Sequence, residues 1–340
     1  MTDTVLVTGI SGFIAKHVAL ELLRQGHAVR GTVRDVARGD AVRDTLARHG
    51  ADVRRLSFVA ADLTSDAGWD DAIADVRYVQ HIASPFPMAQ PRDREALVPA
   101  ARDGALRVLR RALDVGVERI VMTSSIVAMM YRAHRPATYP VGEDDWTDLA
   151  WNRLSAYVVS KTRAERAAWD LMRERDAAAK LSVVNPGLVL GPALDGAAAT
   201  SLDLVKLALT GAYPAMPPIA FACVDVRDVA ALHVAAMTQP EAGGRRLIGA
   251  RDTLRMADMC AVLRRAFPER ARKIPKWVLP VPVTRLAALF DANIRAVLPD
   301  LGAAPQAQSD YVTALTGVRF LSGEDAVRAA GQSLIDLGVA

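Results

Sequence analysis

Cysteine, lysine and aromatic residues are all scarce in this 340-residue chain, and each scarcity removes a class of protein. Two cysteines, Cys223 and Cys260, make neither a disulfide framework nor a closely spaced ligand pair, so a reducing compartment and a cytoplasmic location are expected. The histidines, His17, His27, His49, His81, His134 and His233, are equally dispersed, and no metal is expected. Lys and Arg together number 42 against 38 acidic residues, with no basic block interleaved with aromatics, which argues against a nucleic-acid partner. Long hydrophobic runs are missing too. The most apolar stretch, from Ile274 to Phe290, is interrupted by Pro275, Lys276, Pro280, Pro282 and Arg285, so no membrane span is expected. Met1-Thr2-Asp3-Thr4 runs straight into a strand without a basic or long apolar leader, and no secretory signal is expected.

What is present is an ordinary soluble composition, 51% hydrophobic and 24% charged, in a chain long enough for one large domain with an appendage or for two domains. Short apolar runs near Val5-Val7, His27-Val33, Leu56-Val59, Tyr78-Ile82, Arg119-Met122 and Leu181-Val184 alternate with amphipathic stretches at Gly12-Arg24, Asp40-His49, Arg94-Asp114 and Leu154-Ala178. That alternation predicts an α/β, Rossmann-type doubly wound parallel sheet. Past Asn185-Pro186-Gly187 the texture turns to Gly, Pro and Ala, then a helix at Val226-Met237 and a strand at Arg246-Ile248 revisit the sheet. The expected division is a dinucleotide-binding unit over 1–188, rejoined by 221–250, and a smaller substrate-binding lobe from 189–220 and 251–340.

The first βα turn reads Val7-Thr8-Gly9-Ile10-Ser11-Gly12-Phe13-Ile14-Ala15. Glycines between a strand and a helix start let backbone N–H groups approach a pyrophosphate, and the helix dipole favours its charge. Gly9, Ser11, Gly12, Phe13 and Ile14 are therefore candidate cofactor contacts. The second strand ends Thr32-Val33-Arg34-Asp35. An arginine at this tip, with Arg38 and Arg43 behind it, suits a ribose 2′-phosphate, so NADP(H) is favoured over NAD(H); Asp35 is the alternative, as acceptor for a free 2′-hydroxyl. Asp62 and Leu63, and Ala83 and Ser84, follow the third and fourth strands and are placed along the cofactor.

Tyr157 and Lys161 are four residues apart in a predicted helix, on one face. With only six lysines in the chain, a lysine four after one given tyrosine arises by chance in roughly 2% of cases, and about 10% over all tyrosines. An ammonium beside a phenol stabilises its anion and lowers a pKa of about 10, which makes the phenol a usable proton donor. The hydroxyl pair Ser124-Ser125 follows an apolar strand and completes a candidate carbonyl-reducing trio.

In these motifs, and in His81-Ile82-Ala83-Ser84-Pro85-Phe86, Thr123-Ser124-Ser125, Ala164-Glu165-Arg166, Asn185-Pro186-Gly187-Leu188-Val189 and Val224-Asp225-Val226-Arg227-Asp228, the chain resembles the extended short-chain dehydrogenase/reductases. Within them it resembles the dihydroflavonol-reductase-like carbonyl reductases, over most of the chain but only loosely in the last hundred residues. The resemblance implies NADPH-dependent, reversible reduction of an aldehyde or ketone to an alcohol. Ser125 would bond the carbonyl oxygen, Ser124 would be structural, Tyr157 would give the proton, and Lys161 would hold the nicotinamide ribose and depress the tyrosine pKa. Arg34 would take the 2′-phosphate, with Thr123, Pro186, Gly187 and Val189 also against the cofactor. Met130 stands where plant flavonoid reductases have an asparagine, and a thioether does not replace that hydrogen bonding. Phe86, Met88, Met130 and Tyr213 are the candidate pocket for an apolar carbonyl substrate. A monomer or homodimer is expected. The alternatives are an NAD-dependent 3β-hydroxysteroid-type dehydrogenase, a sugar-nucleotide epimerase or dehydratase and, behind these, a cofactor-sensing binding protein.

Overall fold

The computed structural model describes residues 3–84, 91, 93–197, 199–291, 294–295 and 297–340. Strands β1 (Thr4–Val7), β2 (Ala28–Val33), β3 (Leu56–Ala60), β4 (Tyr78–His81) and β5 (Arg119–Thr123) alternate with helices α1 (Phe13–Arg24), α2 (Gly39–Arg48), α3 (Trp69–Ile73) and α4 (Val98–Asp114). After β6 (Thr138–Val141) come α5 (Ala156–Glu174), β7 (Leu181–Pro186), β8 (Leu188–Leu190), α6 (Thr200–Thr210), β9 (Ala215–Met216), β10 (Ala220–Asp225), α7 (Val226–Thr238) and β11 (Arg246–Gly249). Seven of these strands form one parallel sheet in the order β11-β7-β5-β4-β1-β2-β3. The chain starts in the middle, winds outward through β3, and returns beside β1 as β4. The winding reverses between β1 and β4, and doubly wound sheets bind ligands outside the carboxyl ends of the strands at such a switch point.

The strands of this sheet are apolar on both faces because both faces carry helices. Val5 and Val7 pack into one cluster with α1 and α7, while Leu6 between them packs into the other with α3, α4 and α5, and all three are fully buried. Helix α5, which carries Tyr157 and Lys161, begins at Ser155, whose hydroxyl accepts the N–H of Val158 at 3.3 Å. Val159, Ala168 and Met172 recur at helical spacing on its buried face, and α5 lies against α4. The predicted helix from Arg94 begins only at Val98, because Arg94 instead donates to the carbonyls of Leu149 and Trp151.

The return to the main sheet differs from expectation at one end. Residues 220–225 form β10, which pairs with β8 and with β12 (Asp252–Arg255) in a separate three-stranded sheet; α7 and β11 alone come back. Gly187 is the reason. A side chain there would sit 2.1 Å from the Ala222 carbonyl oxygen, so the backbones cross in contact and β8 leaves the main sheet, taking β10 with it. Helix α8 (Met256–Ala266) and the helix Gly323–Asp336 pack with α6 into a third cluster beneath this sheet. Strand β13 (Trp277–Val278) pairs β9, α9 (Val281–Ala287) follows, and β14 (Ala304–Ala307) pairs β6. Among the described residues no helix is long and apolar enough to cross a membrane.

Candidate active site

The glycine turn is built by backbone demands. Gly9 has φ +62°, and a Cβ there would meet the Ala83 Cβ at 2.9 Å, so the loops after β1 and β4 approach as closely as backbone allows. Thr8 ties the same two loops: its buried hydroxyl accepts the N–H groups of Ile82 at 3.0 Å and Ala83 at 2.9 Å. Gly12 leads into α1 with no side-chain cap and no acidic residue in the first turn. The first-turn N–H groups are thus directed to the crevice with nothing anionic of the chain's own to satisfy them, as a pyrophosphate requires. Ser11 and Gly12 are exposed, and Phe13 and Ile14 are half-buried.

At the tip of β2, Arg34 and Asp35 are both exposed. The Asp35 carboxylate accepts the N–H of Ala37 at 3.0 Å and so caps the following turn. Arg43 is spent elsewhere, donating to the carbonyls of Val53 and Leu56. Asp62 is also engaged locally, accepting from the Thr64 N–H at 2.8 Å and its hydroxyl at 2.7 Å. These bonds hold its carboxyl below the usual range. The residues present fit a dinucleotide with a 2′-phosphate.

Across the crevice the trio comes together from two elements. Ser125 ends the loop after β5, and its hydroxyl shares a hydrogen bond with the Tyr157 phenol. Lys161 lies one turn further along α5, almost fully buried. Burial pushes its ammonium down to about 8, opposed by the nearby Glu165 carboxylate. The expected lowering of the tyrosine pKa is corrected here: burial pushes the Tyr157 phenol above its ordinary value, with the Ser125 bond opposing, because desolvation penalises a phenolate. Tyr157 is therefore a protonated donor at neutral pH, and Lys161 a cation below about 8.

Other expected contacts sort differently. The Thr123 hydroxyl faces under the sheet, 3.0 Å from His233 Nε2, and the opposite ring nitrogen lies 2.8 Å from Gln80 Oε1. Thr123 offers only backbone to the crevice. Ala83 and Ser84 line the loop after β4, Leu63 packs against Gly104, and Pro186, Gly187 and Val189 form the β7–β8 crossing. Met130 is buried in a cluster with Ile126, Met129, Tyr131 and Tyr139. Tyr213 donates to Asp291 at 3.1 Å. Phe86 and Met88 lie outside the described residues, as does Pro85. Among the described residues no cluster of His, Cys, Asp and Glu is placed to hold a metal.

Sequence reasoning missed the group behind the trio. Glu165, fully buried, accepts from Ser124 Oγ at 2.5 Å, Asn185 Nδ2 at 2.8 Å and Arg246 Nε at 2.6 Å. An acid four residues after Lys161 was the available signal; its partners lie too far along the chain to be read from spacing.

Comparison with known proteins gives the site its context. The model of the NAD dependent epimerase/dehydratase family matches residues 5–249. Cinnamoyl-CoA reductase 1 of Arabidopsis thaliana is 36% identical over 268 residues, covering 78% of this chain and 75% of that protein. Tetraketide alpha-pyrone reductase 2 of the same plant is 33% identical over 268 residues, covering 77% and 82%. Among solved structures, Gre2 of Candida albicans in complex with NADPH superposes with a TM-score of 0.82 at 26% identity, covering 98% of this chain and 99% of that one.

Proposed function

Because the chain belongs to the NAD dependent epimerase/dehydratase family, we propose that it is an NADPH-dependent carbonyl reductase, converting an aldehyde or ketone reversibly to the alcohol. The observation that carries the reading is the hydrogen-bonded Ser125–Tyr157 pair with Lys161 one turn beyond, beside the uncapped start of α1. Reductases among the relatives, and an NADPH complex among the structural neighbours, support the same chemistry.

When bound, the reduced nicotinamide supplies the hydride that the carbonyl carbon receives. The chain supplies the rest. Gly9, Ser11, Gly12, Phe13 and Ile14 cradle the pyrophosphate, Arg34 takes the 2′-phosphate, and Asp62, Leu63, Ala83, Ser84, Thr123, Pro186, Gly187 and Val189 line the remainder. Ser125 donates to the carbonyl oxygen and orients it toward Tyr157. The Tyr157 phenol hands its proton to that oxygen as negative charge develops there. Lys161, cationic below about 8, lies on the same helix face and stabilises the phenolate left behind, as well as holding the ribose hydroxyls. An epimerase reading would want an acid at the tip of β2, where Val33 stands.

The proposed substrate is an apolar carbonyl compound, received by Met130 and Tyr213. The two buried thiols, Cys223 and Cys260, suit the cytoplasm, where we place the enzyme as a monomer or homodimer. Tyr157→Phe tests the mechanism. Turnover of aryl ketones, aliphatic aldehydes or diketones, followed by NADPH absorbance, should fall by about 10³-fold, with NADPH binding by fluorescence titration unchanged. Parental turnover in this variant sinks the reading.

A further inference from the structure

We propose that Glu165 is a positioning residue for this site: its carboxylate fastens three adjacent strands of the sheet to α5 one turn beyond Lys161, and so holds Ser125 against Tyr157. The proposal rests on the reading of Ser125, Tyr157 and Lys161 as the reducing trio.

The geometry is that of a clamp. Oε2 of Glu165 accepts from Ser124 Oγ, at the end of β5, and from Asn185 Nδ2, in β7. Oε1 accepts from Arg246 Nε at the start of β11. These strands are neighbours in the sheet, in the order β11-β7-β5, so one carboxylate spans three adjacent strands. Ser124 precedes Ser125 directly, and the same Asn185 Nδ2 donates to the Ser125 carbonyl at 3.3 Å. Two of the clamp's bonds therefore fix the backbone that carries the Ser125 hydroxyl. The far end is fixed as well: Arg246 Nη1 donates to the carbonyls of Glu143 at 2.7 Å and Asp145 at 2.6 Å, and its guanidinium stacks 3.8 Å from the Trp146 ring. Glu165 is 0% exposed, and a carboxylate held without water is an expensive element unless each oxygen is bonded, as here.

The charge has a second effect. Lys161 faces Tyr157 and Glu165 along its own helix and His81 at the end of β4; Arg246 is bonded to the other oxygen of Glu165. Burial pushes His81 down to about 3, so it is neutral throughout an assay range. Glu165 is thus the anion that favours the charged form of Lys161, and removing it lowers the pH at which that lysine loses its proton.

The test is Glu165→Gln, with Tyr157→Phe and Ser124→Ala made alongside. For Glu165→Gln, kcat should fall about tenfold or more, KM for the carbonyl substrate and the NADPH dissociation constant should stay within about threefold, and the alkaline limb of kcat should move about one pH unit lower. A purely structural role would leave that limb where it is. Glu165→Asp, which keeps the charge, should restore the limb. A kcat within twofold of the parent, or an unmoved limb, overturns the proposal. If Glu165→Gln does not fold, Ser124→Ala decides, because it removes a single bond to the same carboxylate: a threefold to tenfold loss of kcat at unchanged NADPH binding is expected, and a parental kcat overturns the proposal. An inactive Tyr157→Phe beside a normal Glu165→Gln defeats the clamp alone; an active Tyr157→Phe defeats the underlying reading.

Discussion

Two regions of the molecule handle polarity in opposite ways. At the carboxyl ends of β5 and β7 and the start of β11, ionised and polar side chains are buried and bonded to one another through Glu165, Ser124, Asn185 and Arg246. On the outer face of the C-terminal lobe, β13, α9 and the turn after it do the reverse and turn large apolar residues to solvent: Trp277 is 76% exposed and Phe290 86%, while Thr284 is buried. The first region is costly to disturb: Asn185 Oδ1 and Arg246 Nη2 are already buried without a partner, and any displaced member would add another unpaired charge or donor. The second gains little from any particular side chain. The candidate site thus sits beside side chains bonded to one another, while the outer face of the C-terminal lobe is assembled from surfaces with little burial to lose.

The sharpest way to break this comparison is Arg246→Ala. It strips the buried Glu165 carboxylate of its guanidinium partner and leaves it only the Ser124 and Asn185 bonds, and the loss of a buried charged partner of this kind is destabilising by about 3–5 kcal/mol. Chemical denaturation should show that loss in the unfolding midpoint. A change within about 0.5 kcal/mol would mean that the strand-end network is no more constrained than the lobe surface.

The glycine turn and the Tyr157/Lys161 helix face were legible from sequence because their signals are local. Gly9, Gly12, Tyr157 and Lys161 are separated by three or four residues within their motifs, and both spacings translate directly into a turn or a helix face. The β1-to-β5 order follows from alternating apolar runs for the same reason. The clamp was not legible: Glu165 meets Asn185, Ser124 and Arg246 across separations of 20, 41 and 81 residues, which only the folded sheet brings together. Strands β8, β10 and β12 escaped because their departure from the main sheet depends on the contact between Gly187 and Ala222, which no local pattern carries. The raised Tyr157 pKa was missed because burial, not the neighbouring lysine, dominates it.

Arg34→Ala should have an intermediate effect and sharpens the comparison within the cofactor half itself. Arg34 is exposed, so its removal leaves stability unchanged, but one lost charge-assisted contact weakens NADPH binding by about tenfold, or ~1.4 kcal/mol. NADH, which lacks the 2′-phosphate, should bind as before. Fluorescence titration with both nucleotides measures the ratio; equal losses for the two would assign Arg34 no role in choosing between them.

The smallest effect belongs to Phe290→Ser. A side chain 86% exposed has almost no burial to lose, and substitutions at such positions usually change stability by less than about 0.5 kcal/mol. Val283 and Leu286 on α9, with Leu289 and Phe290 just beyond it, are exposed together, whereas Thr284 and Ala288 point into the lobe, so the helix is anchored by its small residues and not by its large ones. The thermal midpoint of Phe290→Ser should therefore match the parent, while the apparent solubility rises as apolar surface is removed. A clear loss of stability would mean that this face is covered in solution, and the contrast between a bonded strand-end region and an unconstrained lobe surface would then have to be redrawn around whatever covers it.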